Sequence, residues 1–242
     1  MMGESAMNYT DTFDFACYEA DGFKLNYRIH MPENGITENA PLVLFLHGAG
    51  ERGDDNCLQL RIGLDVALAW DESPLHNAVI IAPQVARDDK WVRQDWEMGN
   101  YDMSTFDESP WVHYAVELVQ KKAEELGCDK KRIYIMGISM GGFGTWYALA
   151  KYPEICAAGF PCCGAGDPRK ADILKEIPIF TYHGEVDDVV PACGTREMVE
   201  AIKAAGGTKI QYKEYPGVNH WSWDTAYGEK EDIAAMFRIV KQ

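Results

Sequence analysis

The stretch Arg132-Ile133-Tyr134-Ile135-Met136-Gly137-Ile138-Ser139-Met140-Gly141-Gly142-Phe143-Gly144-Thr145-Trp146 decides how this chain is read. Residues 133–136 are a short apolar run of the kind that fills a strand buried on both faces. A helix-like segment follows. The join, Gly137-Ile138-Ser139-Met140-Gly141, is a sharp turn with one serine at its apex. Such a turn crowds its neighbours, so positions 137 and 141 hold little more than a hydrogen atom, and both are glycine. The serine hydroxyl then points away from the sheet, where a histidine and a substrate reach it. Gly-x-Ser-x-Gly arises by chance in about one chain in ten of this size. The strand before it, and the thin helix start supplied by Gly142 and Gly144, single out Ser139 as a candidate nucleophile.

Outward from this turn the chain alternates strands and helices. Residues 12–18 and 23–30 alternate apolar and polar positions around Asp21-Gly22, a hairpin signal. Residues 41–47 form a continuous apolar run that breaks into Gly48-Ala49-Gly50-Glu51-Arg52-Gly53. A glycine-rich loop at the carboxyl end of a buried strand is where α/β sheets bind ligands. A helix is expected over 58–70 and a strand over 78–83. The long loop 84–107 carries Trp91 and Trp96, and loops of this length inside compact domains are often functional. Gln84, Trp91 and Trp96 are therefore expected at a pocket wall. Ser109-Pro110 reads as a helix cap and first residue, with Gly127 as the stop. Strands are expected over 156–161, 178–183 and 209–215, and helices over 170–175, 195–205 and 231–240. From residue 41 onward this pattern predicts a mostly parallel sheet with helices on both faces. A single domain over 1–242 is the expectation, with 1–11 a loose leading segment.

A serine hydroxyl needs a base to take its proton and a charge to orient that base. Of the six histidines, His220 follows the last expected strand and could hang over the sheet edge. His47 and His183 end buried strands and read as structural, and His113 reads as surface or packing on a helix. The acid should also follow a strand, and both Asp187 and Asp188 qualify. The spacing His183-Gly184-Glu185-Val186-Asp187-Asp188-Val189-Val190-Pro191 favours Asp187. An acyl-transfer site must also hold an oxyanion, which backbone N–H groups can do. The expected donors are Met140, directly after the serine, and Ala49, in the glycine loop. Trp221 and Trp223 flank the base and are further candidates for the pocket wall.

The segments His47 to Gly53, Gly137 to Gly142, His183 to Asp187, and His220 resemble the α/β-hydrolase superfamily. More narrowly, they resemble the bacterial phospholipase/carboxylesterase-type esterases, close to dienelactone hydrolases and often labelled predicted peptidases. The resemblance covers about residues 23 to 240. It implies hydrolysis of carboxylic esters, including acetyl or feruloyl groups on plant polysaccharides in some members. Dienelactone hydrolases proper use a cysteine nucleophile; this chain has Ser139 there, which counts against that activity. The expected substrate is thus a small-molecule or carbohydrate-linked ester. The alternatives are a serine peptidase of the prolyl-oligopeptidase type and a non-catalytic binding module on a hydrolase fold.

Composition narrows the partners. The chain has 242 residues, 47% hydrophobic and 25% charged, with a formal net charge of −15. That charge argues against nucleic acid or an anionic membrane surface as partner. Residues 1–20 carry acids and no apolar core, unlike a signal peptide, so the reading is a cytoplasmic protein, or a secreted one already processed. Seven cysteines without CxxC spacing read as reduced thiols. Neither HExxH nor a paired-cysteine set is present, so neither metal nor cofactor is expected.

Overall fold

The computed structural model of the protein describes residues 9–242. Most of the expected loose segment, residues 1–8, lies outside the described residues, whereas Tyr9–Thr12 form a 3-10 turn leading into the sheet. The strands are β1 (Phe13–Ala20), β2 (Phe23–His30), β3 (Leu42–Leu46), β4 (Val79–Pro83), β5 (Ile133–Ile138), β6 (Ala158–Cys162), β7 (Ile179–Gly184) and β8 (Ile210–Tyr215). They form one sheet in the order β1-β2-β4-β3-β5-β6-β7-β8. The first two are an antiparallel hairpin, and β2 joins β4 antiparallel; every other pairing is parallel. Asp21 and Gly22 both have positive φ, 49° and 79°, as a two-residue hairpin turn of matching twist requires.

The helices are α1 (Leu64–Leu68), α2 (Pro110–Leu126), α3 (Met140–Lys151), α4 (Ala171–Leu174), α5 (Ala192–Ala204), α6 (Trp223–Tyr227) and α7 (Lys230–Phe237). They cover both faces of the sheet, which is why its central strands are apolar throughout. Along β3, Leu42, Leu44 and Leu46 enter one core with α2, α3 and α5, while Val43 and Phe45 enter a second with α1, α6 and α7. The best-marked helix is α2: the Ser109 hydroxyl caps the Trp111 amide, Pro110 opens the helix, and Gly127 closes it at φ 70°.

Two expected helices differ. Residues 58–70 do not run as one helix. A 3-10 turn at Leu58–Leu60 is separated from α1 by Gly63, whose φ of 85° breaks the path where the backbone passes the Phe45 ring. The last helix stops at Phe237 rather than 240, where the Arg132 guanidinium donates to the Phe237 carbonyl at 3.3 Å and the Tyr134 hydroxyl donates to that of Ile239 at 2.7 Å. The short α6 had no clear periodic signal. All seven cysteines are free thiols. Among the described residues, no helix is long and apolar enough to cross a membrane.

Candidate active site

Four loops meet at the carboxyl ends of the parallel strands. They follow β3, β5, β7 and β8 and carry Ala49, Ser139, Asp187 and His220. This is the edge at which open α/β sheets bind ligands.

Ser139 sits between β5 and α3 with φ 52° and ψ −118°. A non-glycine residue there costs of order 1–3 kcal/mol and persists only where the surroundings enforce it. They do so by close approach. A Cβ on Gly141 would lie 1.8 Å from the Leu46 carbonyl oxygen, and one on Gly137 would lie 2.3 Å from that of Gly141. The Ser139 amide donates to the Cys162 carbonyl at 3.0 Å and its carbonyl accepts from the Phe143 amide at 3.1 Å, so both its backbone groups are fixed. Gly144 leaves room for Trp91: a Cβ there would meet the Trp91 Cβ at 2.8 Å.

The Ser139 hydroxyl lies 2.9 Å from Nε2 of His220. The other ring nitrogen, Nδ1, lies 2.7 Å from Oδ2 of Asp187. Asp187 Oδ1 accepts from the amides of Val189 and Val190 at 2.9 and 2.8 Å. The Asp187 side chain is fully buried, whereas Asp188 is exposed. Burial would raise the Asp187 carboxyl, but hydrogen bonds from His183, His220 and the Val190 amide outweigh it and hold the group well below the usual carboxylate range. Burial likewise opposes the charged form of His220. Its hydrogen bond to Asp187, with the nearby charges of Asp187 and Asp188, reverses the balance and raises it above the ordinary histidine value.

Ala49 and Met140 are each the first residue of a helical turn, so neither amide has an acceptor within its own turn. Arg52 holds the Ala49 carbonyl through Nε at 2.9 Å and reaches the Asp89 carbonyl at 3.3 Å, tying the glycine loop to the long loop. A cavity of about 230 Å³ opens beside Ser139 and His220. The 48–51 loop forms one wall, and Ile62, Ile138, Val189, Trp96, Trp221 and Trp223 complete it. Trp221 is 60% exposed and meets Trp223 edge-on at 4.9 Å; Trp223 in turn meets the His220 ring edge-on at 5.2 Å. A larger cleft, of about 530 Å³, lies at the amino-terminal end of β5, away from these residues.

Two expected wall residues lie behind the cavity instead. Trp91 is wholly buried and donates its indole N–H to the His47 carbonyl at 3.0 Å. Gln84 is buried and braces the glycine loop, donating to the Glu51 carbonyl at 2.9 Å and accepting from the Asn56 amide at 2.7 Å. Both support the loop that carries Ala49 and contribute nothing to the cavity surface. His47 is a packed core histidine, with Nδ1 on the Gly48 carbonyl and Nε2 accepting from the Val85 amide. Burial pushes it down to about 4. His113 is partly exposed on α2 beside Tyr152.

Glu51 was not singled out from the sequence. It is buried, lines the cavity, and has no ion-pair partner among the described residues. Burial raises its carboxyl, against the lowering effect of the Glu51 and Gly48 amides. Its Oε2 lies 2.8 Å from where a Cβ of Gly48 would stand, so glycine at 48 makes room for this carboxyl. Its place inside a glycine loop was the available signal.

The sheet order, the strained serine and the three loops define the α/β-hydrolase fold. Within it, the chain belongs to the phospholipase/carboxylesterase family, which it matches over residues 29–232. A solved structure described as a thermostable esterase superposes with a TM-score of 0.85 at 34% identity, covering 96% of this chain and 64% of that one. Among curated proteins, a bifunctional acetylxylan esterase/xylanase of Neocallimastix patriciarum is 30% identical over 67% of this chain, which spans 21% of that relative. Acyl-protein thioesterase 1 of Candida albicans is 24% identical, with 88% of this chain and 96% of the relative covered.

Proposed function

We propose that this protein is a serine carboxylesterase. The observation that carries the reading is the unbroken line of hydrogen-bonded groups from the Ser139 hydroxyl through His220 to Asp187. Nε2 of His220 takes the hydroxyl proton as Ser139 Oγ attacks the ester carbonyl carbon. Asp187 fixes the tautomer that leaves Nε2 unprotonated and stabilises the imidazolium that forms. The amides of Ala49 and Met140 receive the oxyanion. The C–O bond to the alcohol then breaks, and His220 returns its proton to the departing oxygen. Water, deprotonated by the same histidine, attacks the acyl-enzyme; the acyl carbon–Oγ bond breaks, His220 returns its proton to Ser139 Oγ, and the acid leaves.

Substrate features follow from the wall. A cavity of about 230 Å³ closed by three indoles suits a short or aromatic acyl group, such as acetyl or feruloyl. The exposed face of Trp221 offers a flat surface for the ring of a carbohydrate-linked alcohol. The name of the acetylxylan esterase relative supports the same class.

The test is labelling with a fluorophosphonate. Stoichiometric labelling of the wild type, lost in Ser139→Ala, is the expected result; folded wild type that takes no label would refute catalysis by Ser139. Acetyl, butyryl, octanoyl and feruloyl esters of one alcohol should then show turnover falling at octanoyl. A matched ester and amide sharing an acyl group separates this reading from a peptidase, for which the amide would turn over faster.

A further inference from the structure

We propose that His183 is a positioning residue for the triad carboxylate, a proposal that rests on Asp187 and His220 acting as described above. Oδ2 of Asp187 faces two imidazoles: Nδ1 of His220 at 2.7 Å and Nε2 of His183 at 3.1 Å. The side chains of His183 and Asp187 are both fully buried. The far end of the His183 ring is held as well. Its Nδ1 lies 2.8 Å from the Thr195 hydroxyl, which reaches the Gly164 carbonyl at 2.6 Å. Nε2 is also 3.0 Å from the Val190 carbonyl. Loops after β6 and β7 and helix α5 are therefore tied to one ring.

His47 shows what a histidine with only a packing role does at the end of a buried strand. It satisfies both nitrogens on backbone groups of nearby loops. His183 occupies the equivalent place at the end of β7; its Nε2 hydrogen-bonds the Val190 carbonyl at 3.0 Å and, unlike either nitrogen of His47, also lies against a carboxylate, 3.1 Å from Asp187 Oδ2. With the Val189 and Val190 amides on Oδ1, and Oδ2 bonded to His220 and flanked by the His183 ring, Asp187 is held from each side. Nε2 of His183 faces only acceptors, the Val190 carbonyl and Asp187 Oδ2, so it carries a ring proton, and the carboxylate charge is divided between that N–H and the one on His220.

That sharing predicts a change in proton affinity. Without the His183 N–H, Asp187 concentrates its charge on His220 and favours the imidazolium, so the acid limb moves to higher pH. The other groups facing His220 are Asp188 and Cys163, and Glu214 on β8 faces His183. None of them changes in the variants below.

The experiment compares His183→Met, which removes the donor at similar bulk, with His183→Gln, whose amide N–H can replace Nε2. Each is assayed on 4-nitrophenyl acetate against pH, with active sites counted by fluorophosphonate titration. The Met variant should lose about 10- to 100-fold in kcat with little change in KM, the range of a hydrogen bond to a charged group. Its acid limb should rise by ~0.5–1 pH unit. The Gln variant should stay close to wild type in both. If the Met variant does not fold, His183→Asn replaces it, because its shorter amide can keep Thr195 but falls short of Asp187; the same rise is expected. An unmoved limb with unchanged kcat, or a Gln variant as impaired as Met, overturns the proposal and leaves the esterase reading standing. Failure of the wild type to take the label overturns both.

Discussion

At the scale of single residues, two aspartates that are neighbours in sequence have opposite surroundings. Asp187 is buried and hydrogen-bonded on both oxygens; Asp188 is exposed. Asp187→Asn would present an amide to His220 Nδ1 and stabilise the wrong tautomer, and kcat should fall by about 10⁴-fold. Asp188→Asn should keep the plateau rate. Steady-state kinetics on one ester checks both, and the reverse ranking would identify Asp188 as the acid. The pH profile follows from the same charges. As the proposed base, His220 acts only when neutral, and its proton affinity is raised by its hydrogen bond to Asp187 and the charges of Asp187 and Asp188 against the pull of burial. Activity is therefore lost as pH falls through that raised value, and kcat/KM should begin to drop above the ordinary histidine value of about 6.5. Removing the Asp188 charge lowers the affinity of His220 for its proton, so the acid limb of Asp188→Asn should sit at lower pH than wild type. Profiles of the two proteins side by side test this, and a limb that moves up contradicts it.

At the scale of elements, the glycines around Ser139 and in the preceding loop separate folding from activity. The methyl group of Gly141→Ala would stand 1.8 Å from the Leu46 carbonyl oxygen, backbone that is fixed in β3. That change should cost at least about 4 kcal/mol. For a chain of this size it corresponds to a fall in Tm of roughly 10 °C or more. The methyl group of Gly48→Ala would meet the end of the Glu51 side chain at 2.8 Å, which can swing away. That variant should fold near the wild-type Tm and lose turnover, because the new methyl group and the displaced Glu51 carboxyl take up space at the cavity wall. Thermal melts and kinetics of the pair check the distinction, and equal melting temperatures would contradict it. Much of this was legible in the sequence. The strand-turn-helix at Ser139, the Asp21-Gly22 hairpin and the caps of α2 are local patterns, fixed by steric and hydrogen-bonding rules that act over a few residues. The break at Gly63 was not legible, since an isolated glycine fits a helical pattern and only the Phe45 ring beneath it shows why the path turns. Nor were the directions of Gln84 and Trp91. Periodicity carries no information in a loop, and which way its side chains point depends on partners such as Asn56 and His47, far away in the chain.

At the scale of the whole molecule, the sheet does what the sequence could only order. Ser139, Asp187 and His220 are spread over 82 positions, and parallel strands that all end at one edge bring their loops within hydrogen-bonding distance. That edge belongs to a strongly acidic protein, with a formal net charge of −15. Glu51 lies within the cavity, and Asp188 and Glu185 are exposed on the loop that holds Asp187. A field of this sign repels anions approaching the site and leaves neutral esters untouched. Two esters with the same leaving group separate the effects: 4-nitrophenyl acetate is neutral, and 4-nitrophenyl hemisuccinate carries a carboxylate on its acyl chain. At low salt kcat/KM should be lower for the hemisuccinate by more than its bulk explains. Raising ionic strength from about 0.01 to 0.15 M shortens the screening length from roughly 30 to 8 Å. The hemisuccinate should then gain several-fold while the acetate stays level. Glu51→Gln should narrow the gap further at every salt concentration, because this carboxyl lies inside the cavity and is screened least. Equal salt dependence of the two esters would show that the acidic surface keeps the protein soluble without selecting what reaches Ser139.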